Sequence, residues 1–119
     1  MNMDNGQVIQ SLPLSGVGTD AAGYDPATGD IFFPNRQRLE TDLKATPFDI
    51  FHQDSPDKYS RVGSLDLLYG ARTMGYDAKT HRAFLVTTAE NTPGTPTPAI
   101  PNPAPRPVQN TFTLIEVGK

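Results

Sequence analysis

The sequence predicts an all-β protein, and three observations carry that prediction. Twelve prolines and ten glycines interrupt a chain of 119 residues. No ten-residue stretch free of both carries the i, i+3, i+4, i+7 apolar spacing of an amphipathic helix. The apolar residues come instead in short or alternating runs bounded by turn residues, the signature of strands. The order of these runs also repeats: Gly-Tyr-Asp-Pro-Ala-Thr-Gly-Asp-Ile-Phe-Phe from Gly23 returns 52 residues later as Gly-Tyr-Asp-Ala-Lys-Thr-His-Arg-Ala-Phe-Leu from Gly75.

The first strand is expected over Val8–Leu14, where Leu12 and Leu14 are spaced to point one way. Thr19–Tyr24 is expected as the second. Asp25-Pro26-Ala27-Thr28-Gly29 then reads as a hairpin turn: Asp accepts local backbone hydrogen bonds, Pro presets φ, and Gly tolerates positive φ at the exit. Asp30–Phe33 and Phe48–Gln53 supply the third and fourth strands, and Asp54–Lys58 turns the chain into Tyr59. The second copy runs Val62–Leu68, Gly70–Tyr76, the turn Asp77–His81, and Arg82–Thr87. Its fourth strand, Thr111–Ile115, matches Pro47–Phe51 at a spacing of 64 rather than 52, one loop having gained twelve residues. The chain is thereby divided into a tail (1–7), a first four-stranded unit (8–58) and a second (59–119) with an insertion over 92–107. That insertion holds seven prolines in sixteen residues, too few backbone donors for a strand, and should sample polyproline II. It reads either as a segment for aromatic-lined grooves or as a semi-rigid loop along the sheet edge.

Four short strands per unit at about this period is the pattern of propeller blades. Apolar residues on both faces, as in Ile31-Phe32-Phe33 and Phe84-Leu85-Val86, suit a sheet covered on both sides. Two such units close no ring. The missing partners are either the remaining blades of a longer parent chain or further copies, three or four of which would give six or eight blades through heterologous contacts.

The formal charge of −3 comes from ten basic and thirteen acidic residues scattered along the chain. No basic stripe suits a phosphate backbone, which disfavours nucleic acid as a partner. The absence of cysteine excludes disulfides, thiolate metal sites and cysteine nucleophiles. No apolar run approaches the ~20 residues of a membrane span. The start, MNMDNGQ, lacks the basic and apolar regions of a signal peptide.

In a propeller, the fourth-to-first and second-to-third connections share one face, which would gather Asp25, Thr28, Asp54, Asp57, Lys58, Asp77, Lys79 and His81. These can orient a polar ligand or cation, or serve only as turn residues. His52 and Asp54, two apart, can point the same way, but two histidines without cysteine fall short of the about four ligands of a zinc site. Asp20 and Arg72 hold equivalent positions in the two copies, with opposite charge. They are expected as an ion pair between units, with Arg72 holding an anionic ligand as the alternative. The binding candidates are therefore His52, Asp54, Lys58, Arg72 and His81; no catalytic residue, metal or cofactor is assigned, because no nucleophile elbow, phosphate loop, HExxH or paired-carboxylate spacing stands out.

The Gly-Tyr-Asp-Pro-Ala-Thr-Gly turn, the aromatic third strand and the Phe-x-Ile/Leu fourth strand resemble the YVTN-repeat β-propellers of bacteria and archaea. The resemblance covers most of Leu12 to Val117. The third-strand signature is eroded to Phe32-Phe33-Pro34-Asn35 and Phe84-Leu85-Val86-Thr87. The segment His52–Tyr59 and the ending Thr-Phe-Thr-Leu-Ile-Glu-Val-Gly-Lys are similar to an exported subgroup. The resemblance implies a seven-bladed ring, a periplasmic or secreted location, and a noncatalytic binding or protein-interaction scaffold taking a small molecule or protein. Its alternative implication is a fragment of a propeller enzyme, a lactone hydrolase or cofactor-dependent dehydrogenase.

Overall fold

A computed structural model describes residues 1–39, 44–90 and 93–118. Thr92, the first residue of the expected insertion, and Lys119, the last of the expected second unit, lie outside the described residues. The fold is all-β and antiparallel: no helix occurs among the described residues, and none is long and apolar enough to cross a membrane.

Nine strands follow in order among the described residues: β1 Gly16–Val17, β2 Gly23–Asp25, β3 Asp30–Pro34, β4 Gln37–Arg38, β5 Ala45–Ser55, β6 Lys58–Leu68, β7 Thr73–Asp77, β8 Arg82–Thr87 and β9 Thr113–Gly118. They form a four-stranded sheet in the order β2-β3-β5-β6, a three-stranded sheet β7-β8-β9 and a small ribbon β1-β4. The ribbon was not expected from the sequence. Gly29, at φ 79°, takes the left-handed position of the β2–β3 turn, as the Asp-Pro-Ala-Thr-Gly pattern requires. His81 holds the equivalent place between β7 and β8 at φ 57°, a conformation that costs a side-chain-bearing residue about 1 kcal/mol.

Several strand expectations need correction. Val8–Leu14 is not a strand; it lies across a face of the first sheet, with Leu12 and Leu14 against Ile31, Phe33 and Phe51. Gln10 substitutes for ladder pairing there, its side-chain amide bonding both the N–H and the C=O of Tyr59. The second strand shrinks to Gly23–Asp25, because only these residues face β3. Val62–Leu68, expected to open the second unit, belongs to β6 and pairs with β5 from Ala45↔Leu68 to Ser55↔Lys58, with bulges at Ile50/Phe51 and Gln53/Ser55. The second sheet consequently has three strands rather than four, and the residue 58/59 boundary falls where the β5–β6 hairpin turns. The repeat is thus offset by one strand from the sheets.

The registers also move one alignment. Gly23 faces Phe32 as Gly75 faces Phe84, so β2–β3 and β7–β8 correspond at the expected spacing of 52. Asp30 faces His52 whereas Arg82 faces Gly118, so β5 and β9 correspond at 66 rather than 64. A two-residue slip keeps each side chain on its own face, which is why the apolar pattern alone did not resolve it.

The core lies between the two larger sheets. Phe48, Ala71, Ala83 and Leu85 are buried, and Phe32, Ile50, Leu67, Met74, Tyr76, Ile115 and Val117 pack around them. Phe32 stacks on Phe48 with ring centroids 5.7 Å apart and tilts against Tyr76 at 5.0 Å, contacts worth about 0.5–1.5 kcal/mol each beyond area burial. Gly23 sits close against this seam: a Cβ there would come within 2.7 Å of the Met74 methyl group, which would have to swing aside, and 3.3 Å from the Tyr76 Cβ.

Candidate functional site between the sheets

Both large sheets contribute to one cleft of about 480 Å³. Its apolar walls are Phe32, Phe48 and Ile50 from the first sheet and Tyr76, Ala83 and Val117 from the second. The polar groups Asp25, Thr28, Asp30, Thr80 and His81 also line it. They come from the β2–β3 and β7–β8 turns, which the packing of the sheets brings side by side.

Asp25 is the pivot of this polar group. Its side chain is buried, yet it is fully engaged: Oδ2 lies 2.7 Å from His81 Nδ1 and accepts from the Tyr76 hydroxyl at 2.9 Å, while Oδ1 accepts from the Ala27 amide at 2.9 Å. Burial alone would raise this carboxyl, but the hydrogen bonds from His81, Ala27, Tyr76 and Thr28 outweigh it and hold Asp25 well below the usual carboxylate range. Burial, the bond to Asp25 and the charges of Asp25, Asp30 and Asp77 push the Tyr76 hydroxyl up to about 12. One carboxylate from the first sheet thus ties down a hydroxyl and an imidazole from the second. With Nδ1 fixed on Asp25, His81 keeps Nε2 for another partner.

A second buried carboxylate, Asp49 on β5, faces away from the cleft. It accepts from the Ser15 amide and hydroxyl at 2.7 Å each, from Asn35 at 3.0 Å and from Arg61 at 3.0 Å. Burial would raise it; the Ser15 and Arg61 contacts prevail and lower it. Ser15 also accepts from Arg61, and Asn35 from Thr19. This network anchors the segment leading into β1.

The sequence-derived candidates are distributed, with only part of the set gathered. His81, Asp25 and Thr28 meet in the cleft. His52 lies apart, Nδ1 3.1 Å from Asp30 Oδ1. Asp54 sits in the bulge between Gln53 and Ser55 and accepts from Ser60 at 2.9 Å. Asp57 and Lys58 are exposed at the β5–β6 turn. Asp77 accepts from the Lys79 amide and the Thr80 hydroxyl, with Thr80 the main cause of its lowered titration. Arg72 Nε stands 2.7 Å from Asp20 Oδ2, a half-exposed ion pair between the sheets. No group of three or more His, Cys, Asp or Glu is placed to hold a metal among the described residues.

Tyr76 and Asp30 were missed as site residues. The signal for Tyr76 was present: both copies read Gly-Tyr-Asp, and the tyrosine of one copy bonds the aspartate of the other. Asp30 carried no such mark. No protein-family model, curated protein or solved structure matches this chain.

Proposed function

We propose that this chain is a noncatalytic binding module of the β-propeller type, two blades that present the inter-sheet cleft to a ligand outside the cytoplasm. The observation that carries the reading is the cleft itself: apolar walls from two sheets and hydrogen-bonding groups from two adjoining turns, in a volume within the about 300–1,000 Å³ usual for ligand sites. Such a lining suits an amphipathic small molecule or peptide side chain, its apolar body against Phe32, Ile50 and Val117 and its polar end at Thr28, Thr80 and His81. The propeller assignment draws support from the face-to-face stacking of antiparallel sheets, the offset repeat and the resemblance to YVTN-repeat propellers. The exported location rests on that resemblance alone. Titration of the ¹⁵N-labelled chain with 1-anilinonaphthalene-8-sulfonate, an apolar body with one polar end, tests the cleft. The expected amide shifts centre on Thr28, His81 and Val117 and vanish in Ile50→Lys; shifts elsewhere, or none, would refute the reading.

The Asp25–His81 pair favours a second reading, a propeller hydrolase fragment in which the buried carboxylate orients the imidazole as a general base. Hydrolysis of an activated ester or lactone, lost in His81→Ala and retained in Arg72→Ala, is the outcome that reading requires.

A further inference from the structure

We infer that a second copy of this chain completes the two-sheet stack: its residues 8–14 add to the open edge of β9, and its first sheet seats on the outer face of the second sheet. This rests on the internal repeat and the contacts between the sheets; a cleft that bound nothing would leave it intact.

The seam inside the chain shows what each sheet offers a neighbour. Ala83, Leu85 and Val117 of the second sheet pack toward Phe32 and Phe48 of the first. The repeat carries both sets to the two ends. The counterparts of Ala83, Leu85 and Val117 are Ile31, Phe33 and Phe51, which line the other face of the first sheet. The counterparts of Phe32 and Phe48 are Phe84 and Leu114, on the other face of the second sheet. There Leu114 is 62% and its face-mate Phe112 69% exposed. Gly23 is crowded by Met74 and Tyr76, whereas its counterpart Gly75 has nothing within 4 Å of a Cβ position. The two ends are therefore complementary to each other, the condition for a heterologous contact.

Residues 8–14 supply the strand that this contact lacks. Ser11-Leu12-Pro13-Leu14 repeats Ser64-Leu65-Asp66-Leu67 of β6. Leu65 and Leu67 pack against the second sheet from the outer strand of the first. Leu12 and Leu14 already rest against the corresponding residues of the first sheet, but their segment pairs with no strand among the described residues. By the β5–β6 register, Phe48↔Leu65 and Pro47↔Asp66, Leu12 falls opposite Leu114 of the other copy and Pro13 opposite Thr113. The Pro47 carbonyl accepts from the Asn35 amide, on the side away from β6, so the position opposite it makes no cross-strand hydrogen bond. A proline is tolerated there.

The polar contacts extend in the same way. The Ala27 amide holds Asp25 and the Lys79 amide holds Asp77 in the same local turn, but only Asp25 also receives a tyrosine from the next sheet. Tyr24, the counterpart of Tyr76, is 47% exposed and meets Asp77 when a second copy docks. Repetition of the contact closes a ring of three or four chains, six or eight sheets, within the ~4–8 typical of such rings.

Size exclusion with light scattering on the full chain, on Gly75→Arg and on Ala22→Arg tests the inference. Both sites are exposed or open in the single chain and sit at opposite ends of it. The wild-type chain is expected as a discrete trimer or tetramer, and each variant as a monomer. An equimolar mixture of the variants is expected to give a 1:1 dimer, because each keeps the end the other has lost. Leu114→Arg replaces Gly75→Arg if that variant fails to fold. A wild-type monomer at the highest concentration reached, an oligomer untouched by either substitution, or a mixture that stays monomeric would overturn the inference.

Discussion

Gly23-Tyr24-Asp25 and Gly75-Tyr76-Asp77 are the same three residues in the same strand of two sheets, and they live in different surroundings. Asp25 is 1% exposed and bonded to groups from both sheets, whereas Asp77 is half-buried and bonded only to its own turn. Tyr76 reaches across the seam; Tyr24 reaches only Gln53 of its own sheet, at 3.0 Å. The difference teaches that the motif fixes the local turn, while the neighbouring sheet decides whether its carboxylate becomes a buried anchor.

The largest effect separates the two faces. Phe48→Ala should lower the unfolding free energy by about 3–5 kcal/mol, since it empties the middle of the seam. Leu114→Ala at the equivalent place should change the dissociated chain by less than about 0.5 kcal/mol. Chemical denaturation of both at low concentration checks the contrast; equal losses would mean that the outer face is already covered.

The carboxylates come next. Asp25→Ala leaves Tyr76 and His81 without their shared acceptor and should lower the denaturation midpoint clearly more than Asp77→Ala. Acid sharpens the comparison. The folded chain holds Asp25 below the ordinary value near 3.9, so its contribution is present above that value and is lost as pH falls from there through the folded pKa. Tyr76 has the opposite sense: its pKa is raised, so its contribution is present below about 10 and is lost as pH rises towards 12. Stability measured from pH 2 to 12 should therefore fall at both ends, and Asp25→Ala should flatten the acid limb.

His81→Gly tests the turn against the bond. Glycine relieves the positive φ, about 1 kcal/mol, but removes the imidazole from Asp25. It should be more stable than His81→Ala by about that amount, by thermal unfolding. The smallest effect belongs to the surface pair: Arg72→Ala should cost about 0.5 kcal/mol and vary with salt.

Much of this was legible in the sequence. Composition and spacing gave the class, because no ten-residue stretch free of proline and glycine carries the apolar period of a helix. The repeated turn located β3 and β8 closely, because Asp and Gly have backbone roles there that few residues can fill, whereas β2 and β7 begin three or four residues later than expected. Which sheet Val62–Leu68 joins was not legible, since an outer strand with Leu65 and Leu67 on one face reads the same whichever neighbour it pairs with. Nor was the failure of Val8–Leu14 to pair, which depends on a neighbouring strand and not on its own pattern. The site was half visible: His81 in the place of Gly29 marked an unusual turn, but that Asp25 would be buried beneath it followed only from the packing of the sheets.

The account turns on β9, which holds in the second sheet the place that β5 holds in the first and, among the described residues, has a paired neighbour on one side only. Amide hydrogen exchange of Phe48 and Leu114, read against chain concentration, tests it most directly. Phe48, between β3 and β6, should be protected at every concentration. Leu114 should exchange fast in the dilute chain and slow steeply as copies associate. A Leu114 amide that exchanges at one rate across the whole range, fast or slow, would contradict the account.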